Sequence, residues 1–301
     1  MKKRYSLPLT SAFLFVCFLL IFPAKAQPQD SRAVQVVPDE EKRSFIREMD
    51  GYAYLSEDMT LAQTRAAAFA NAKRQALEAA KTYIQSKTKV KDFQVEYDLV
   101  WSSAEGAVTI LDQKDYGVKN NVRYHVWIKA EVEYEVKPKR PEAGSATIMD
   151  KDAPLTVKVW TDKKHYKAGE SIKIFVQGNR DFYARIVDIA SGGEIIQLLP
   201  NDFRVINFFE GGKVYRIPDK GDRFDLKVTP PFGEDRIVVY ASEAPLGEVA
   251  MDPVGQGLRQ YRGLQRGLAS ASRGVKIVGT GAGSSDGAEF YEATWTLSTG
   301  K

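Results

Sequence analysis

From Leu155 onward, apolar residues fall at alternate positions. The runs are Leu155-Val157-Val159, Ile172-Ile174-Val176, Phe224-Leu226-Val228 and Ile237-Val239-Ala241, each interleaved with polar or exposed residues. A period of two is the signature of strands with one buried face, and strands that follow one another without long helices close into a sandwich or a barrel. The breaks between them carry turn residues, at Gly192-Gly193, Pro200-Asn201-Asp202, Gly211-Gly212 and Pro230-Pro231-Phe232-Gly233.

The half before residue 138 is patterned differently. Residues 60–87 contain no Gly or Pro, open with a Thr60–Gln63 capping box, and repeat Ala62, Ala66, Phe69, Ala72, Ala76, Ala80 and Ile84 at helical spacing. A stripe made of alanine lets a helix axis approach a sheet closely. Alternating segments at 51–55, 93–101, 107–111 and 122–136 supply that sheet, the last with Val122, Tyr124, Val126, Ile128, Ala130, Val132, Tyr134 and Val136 on one face. The expected fold is therefore an α+β module, one long helix on an antiparallel sheet, over residues 49–137. It is followed by an all-β immunoglobulin-like sandwich over 154–301. Residues 27–48 read as a polar leader, and the Pro- and charge-rich residues 138–153 as a linker.

The start reads as a secretory signal peptide over residues 1–26. It has a Lys2-Lys3-Arg4 cluster, an apolar run over 12–22, and Ala24-Lys25-Ala26 before a cleavage point at Gln27. An uncleaved anchor is the alternative, but eleven residues of helix reach only about 16 Å, roughly half of a bilayer core. Cys17, the single cysteine, lies inside this run, so the mature chain offers no thiol for disulfides, catalysis or metal binding. Four of the 43 basic residues and none of the 39 acidic ones belong to the signal, which leaves the mature chain formally neutral. Neutrality removes the general electrostatic case for nucleic acid. No transmembrane span is expected after cleavage.

Two resemblances follow from specific phrases. The short strand with Gly51, the helix phrase Thr64-Arg65-Ala66 continued by Ala68, Ala72 and Ala76, and the closing strand from Arg123 to Val132 resemble the N-terminal domain of flagellar assembly protein T. They also resemble the twenty-kilodalton outer-membrane lipoprotein family. The resemblance implies a small α+β module used in envelope assemblies. In the second half the phrases are Val159-Trp160-Thr161-Asp162-Lys163, Tyr166-Lys167-Ala168-Gly169-Glu170, Leu198-Leu199-Pro200-Asn201, Arg216-Ile217-Pro218-Asp219, Pro231-Phe232-Gly233 and Val238-Val239-Tyr240-Ala241. Together they resemble the family named domain of unknown function 4384, which implies an immunoglobulin-type sandwich in exported proteins and brings no established reaction.

Candidate sites are few. His125 and Trp127, two apart on one strand face beside Arg123 and Lys129, form a candidate partner-binding row, with ordinary packing as the plainer reading. Arg259, Arg262 and Arg266, within a basic Gly-rich insertion at about residues 247–274, would share one face of a helix and hold an anionic partner, or be merely solvated. Leu258, Tyr261, Leu264 and Leu268 would form that helix's apolar stripe. His165 is expected in a solvated turn. The Gly279-Thr280-Gly281-Ala282-Gly283 run lacks the Lys-Ser/Thr ending of a phosphate loop. The closing strand at 290–297, with Tyr291, Ala293, Trp295 and Leu297 on one face, is expected to add to the sandwich.

No catalytic residue, metal or cofactor is assigned. The resulting expectation is a non-enzymatic exported cell-envelope protein, periplasmic, outer-membrane-associated or secreted. It would bind or assemble with an envelope protein or an anionic envelope component. The alternative is a periplasmic hydrolase with a Ser-Lys or carboxylate site assembled in space.

Overall fold

Residues 40–88, 97–101, 108–138, 151–273 and 287–301 are described in the structure, a computed structural model of the chain. The expected signal, Cys17, most of the linker and the glycine run at 279–286 lie outside them.

The helix forms as its sequence directs. Gln63 N–H donates to Thr60 Oγ1 and Thr60 N–H to Gln63 Oε1, the reciprocal capping box, ahead of α1 (Leu61–Thr88). Its buried side is not the expected stripe throughout. Ala62 and Ala66 are exposed, and the buried line runs Thr64, Ala68, Ala72, Ala76, Ala80 and Ile84. These residues form a ridge at every fourth position, and such ridges lie inclined to the helix axis. The ridge packs on β1 (Glu40–Tyr54) and β4 (Arg123–Pro138). A Cβ built on Gly51 of β1 would stand 2.2 Å from the Ala68 carbonyl oxygen and 2.7 Å from the Ala72 Cβ. Only a glycine admits the helix that close.

The expectation of a polar leader through residue 48 fails, because β1 already begins at Glu40. Its charged opening hid it. Ser44, Phe45 and Ile46 are buried in succession, so the strand has core on both faces and shows no alternation. The strand expected at 93–101 is present as β2 (Tyr97–Trp101). The one expected at 107–111 extends much further, as β3 (Val108–Lys119). Asn120 and Asn121, with φ of 54° and 53°, turn β3 into β4, and Val122 N–H closes the turn on the Lys119 carbonyl. Two central residues with positive φ make this the I′ turn whose twist suits a hairpin. In β4 the expected core row is buried from Tyr124 to Tyr134, while Val122 falls in the turn and is exposed.

The second half supplies β5 (Val157–Thr161), β6 (His165–Lys167), β7 (Ile174–Gly178), β8 (Phe182–Ile189), β9 (Ile195–Leu199) and β10 (Phe208–Phe209). It continues with β11 (Val214–Ile217), β12 (Glu234–Ser242), β13 (Asp252–Gly255), β14 (Leu258–Tyr261), α2 (Gln265–Ser272) and β15 (Ala288–Gly300). The molecule is mostly β. Twelve strands form one sheet along the path β13-β14-β9-β8-β12-β15-β1-β4-β2, with β3, β6 and β10 attached at its sides, and β11-β7-β5 form a second sheet. All pairings are antiparallel apart from β6 with β15. A large apolar cluster is shared by the two sheets, from Val157, Val159, Ile174 and Val176 to Ile186, Val239 and the Tyr291, Ala293 and Leu297 of β15.

The last strand joins the two halves. β15 adds to the second half, as expected, by pairing with β12, and on its other side it pairs with β1, so strands of both halves belong to the one large sheet. Side chains reinforce the junction. Arg43 donates to the Leu155 carbonyl at 2.8 Å and lies over the Tyr291 ring. Glu289, wholly buried, accepts from the Leu155 N–H and from Arg180 at 2.8 Å, and Arg180 also meets Glu243 at 2.6 Å. Tyr83 of α1 donates to Glu243 at 2.9 Å. Burial first, and the charge of Glu243 second, push the Glu289 carboxyl upward, against the pull of Arg180.

Candidate aromatic and cationic face

Alternation along β1, β3 and β4 sends one set of side chains to α1 and the other to the opposite face of the sheet. On that opposite face the rows cross the strands in register. Tyr52 is paired with His125, Asp50 with Trp127 and Lys114 with Trp127, while Arg123 stands between Tyr54 and Lys119. A bulge between Asp115 and Gly117 places Tyr116 beside His125.

The His125 ring stacks on Tyr52 at 4.5 Å and on Tyr116 at 4.6 Å, with interplanar angles of 15° and 23°. Asp50 accepts a 2.7 Å hydrogen bond from His125 Nε2, which fixes the ring between the tyrosines. Cations lie on the rings around it. The Arg123 guanidinium is 4.3 Å from the Tyr52 centroid, Lys119 Nζ 5.7 Å from Tyr116 and Lys114 Nζ 5.0 Å from Trp127. Stacked pairs of this kind are worth about 0.5–1.5 kcal/mol each, so the row holds its shape without a partner. Tyr116 is nonetheless 41% exposed and Tyr54 68%.

The His125–Trp127 row is thus assembled as a neighbouring pair, with Arg123 alongside. Lys129 departs from the expectation: it is buried, facing Glu48 and Asp112, and burial holds its ammonium below the usual lysine range. Tyr52, Tyr116, Lys114 and Lys119 were not among the expected site residues. Their signal was the Asn120-Asn121 pair, which marks a hairpin and would have aligned β3 with β4.

The arginine set falls apart as a helical face. Gly255, Gln256 and Gly257, with φ of 90°, 51° and 73°, make a hairpin between β13 and β14, so Leu258, Arg259 and Tyr261 belong to a strand. Arg259 pairs with Asp202 at 3.0 Å, Arg262 lies before the helix and pairs with Asp252 at 3.0 Å, and Arg266 alone of the three is in α2. Apolar residues of this region, Leu246, Val249, Met251, Tyr261, Leu268 and Ala269, cover the back of β8, β12 and β15. His165, expected in a turn, forms part of β6 and remains exposed.

One carboxylate pair lies apart from this face. Asp188 is pushed up to about 7 by burial and then by the charge of Asp235. Asp235 is raised too, by burial, although it accepts from Ser191 N–H and Thr299 Oγ1. Among the described residues, no three His, Cys, Asp or Glu side chains are grouped to hold a metal ion, and no helix is long and apolar enough to cross a membrane.

The family described as Domain of unknown function (DUF4384) matches residues 165–245, from β6 through β12. That span lies within the second half, ends before β13, and excludes the aromatic face. No curated protein matches the sequence. Among solved structures, the crystal structure of a DUF4785 family protein from Legionella pneumophila is similar over 88% of this chain and 66% of that one, at 10% identity and a TM-score of 0.25. The chain spans just under two thirds of that protein's length.

Proposed function

We propose that this is an exported, non-enzymatic protein of the cell envelope that binds a partner through the outer face of β1, β3 and β4. The observation that carries the proposal is the Tyr52–His125–Tyr116 stack with cations on its rings. Aromatic and arginine side chains that are rigid before contact lose little entropy on binding, and they dominate the energetics of protein interfaces. In this reading the helix-bearing half is the interaction module implied by its resemblance to flagellar assembly protein T, and the DUF4384-like half is an immunoglobulin-like sandwich that holds it. Residues 1–26 direct export and are removed.

Two measurements test it. N-terminal sequencing of the exported protein should begin at Gln27, and recovery of intact Met1 in an alkali-resistant membrane fraction would overturn the export reading. For the site, the mature protein should retain an envelope partner that Tyr116→Ala/Trp127→Ala releases, whereas Arg266→Gln leaves it bound. Equal retention by the aromatic variant rejects this face.

A further inference from the structure

We infer that the aromatic face takes an acidic, extended segment of a protein partner, its carboxylates meeting Arg123, Lys119 and Lys114. This deepens the binding proposal and rests on it.

Charge is the first argument. Each of these three cations lies on an aromatic ring, and none has a carboxylate partner among the described residues. The acids in register with Trp127 and Lys129 are already engaged: Asp50 by His125, and Glu48 and Asp112 by the field of Lys129. An incoming negative group therefore finds positive charge without displacing a resident acid. Charge-assisted hydrogen bonds from such donors are roughly twice as strong as neutral ones.

Ring geometry is the second. His125 has a tyrosine stacked at 4.5 Å and another at 4.6 Å, so the faces of these rings are largely filled by one another. Arg123 and Lys119 also lie on the Tyr52 and Tyr116 rings, which leaves edges and phenol hydroxyls for a ligand. Aromatic edges carry the positive part of the quadrupole and favour anions, whereas a sugar ring would need an open face to stack on.

Spacing is the third, and it selects an extended peptide. Arg123 and Lys119 are register partners, and Lys114 is opposite Trp127, four residues along β4 from Arg123. At about 3.3 Å per residue the two cationic rows are about 13 Å apart, with the Tyr–His–Tyr row between them. A strand-like segment with acidic residues at i and i+4 repeats that distance and passes its middle residues over the ring edges.

The test uses the full mature chain and fluorescence anisotropy with a labelled peptide that has glutamate at every fourth position in a Ser-Thr background. A peptide of the same composition with contiguous glutamates, and polygalacturonate, are the comparisons. The spaced peptide should bind best, and more weakly as salt rises. Arg123→Gln/Lys119→Gln/Lys114→Gln should weaken it by about tenfold or more. The single exposed change Lys119→Glu should weaken it severalfold, which keeps the test decisive if the triple variant melts early. Absence of binding at low salt, unchanged binding by these variants, equal binding of the contiguous peptide, or preference for polygalacturonate overturns the inference. If Tyr116→Ala/Trp127→Ala releases the envelope partner while the triple variant keeps it, the face stands as the site and the acidic-segment inference alone falls.

Discussion

Replacing Gly51 with alanine tests how the helix is seated. Gly51 is not in the left-handed region, so alanine suits its backbone, and in the unfolded chain the substitution would by itself favour folding by about 0.4–1 kcal/mol. Packing opposes it strongly. The new methyl would be 2.2 Å from the Ala68 carbonyl oxygen and 2.7 Å from the Ala72 Cβ, where ordinary contact begins near 3.4 Å. The nearest atom is backbone, so no side-chain rotation relieves the clash, and α1 must lift by about 1 Å along a ridge of alanines that has nothing longer to refill the gap. Overpacking of this kind costs about 1–3 kcal/mol and sometimes more. We expect a net loss of about 2 kcal/mol, a fall in Tm of about 4–8 °C at the 2–4 °C per kcal/mol typical of chains near this size. Urea and thermal denaturation of the mature protein measure it. Gly300→Ala is the control, since nothing is within 4 Å of its added methyl. Adding Ala72→Gly to Gly51→Ala should recover only part of the loss. If Gly51→Ala is as stable as Gly300→Ala, the close seating of α1 is wrong.

Arg180→Met should cost about 3–5 kcal/mol by stranding the buried Glu289, and Arg180→Met/Glu289→Gln should be less damaging in the same urea titration; a single-variant loss under about 1 kcal/mol would contradict the ionic junction. Asp188 binds its proton up to about pH 7 in the folded chain but only to about pH 4 unfolded, so stability should fall as pH rises through that window, by on the order of 2–4 kcal/mol. Asp188→Asn should flatten that fall and raise Tm at pH 8, and an unchanged pH profile would reject the shift. Arg259→Gln/Arg262→Gln should change stability by no more than about 1 kcal/mol in thermal melts, because both ion pairs are surface pairs.

What the sequence made legible is local. The capping box, the alanine-rich helix and the alternation of β4 are written in contiguous residues, and period alone located them. The end of β1 was expected at 51–55, but its first part was missed because its central place in the sheet buries both faces, and because Arg43 carries its charge into the interior over Tyr291. A strand whose charges are satisfied by residues over a hundred positions away looks like a leader in one dimension. β15 was recognised as a strand, but its pairing with β1 joins residues some 250 apart, which no local pattern encodes. The site divides the same way. His125 and Trp127 share a strand and were found together, whereas Tyr52 and Tyr116 reach them across the sheet and needed the register.

The edges of the large sheet bear on how the proposed partner would engage it. At one end β13 is the terminal strand, and its Pro253, which has no N–H to offer, sits opposite Arg259. At the other, β2 and β3 both pair with β4, and β3 is bulged twice, between Ile110 and Asp112 and between Asp115 and Gly117. Either device spoils the regular row of donors and acceptors that an added strand needs. The second bulge does more than protect an edge. By inserting one residue it brings Tyr116 onto the outer face against His125, so the interruption that discourages backbone pairing also completes the aromatic row. A partner arriving at this end of the molecule therefore meets side chains before it meets an open ladder, and its selectivity should follow charge and ring contacts rather than its capacity to form a strand hydrogen-bonded to β3.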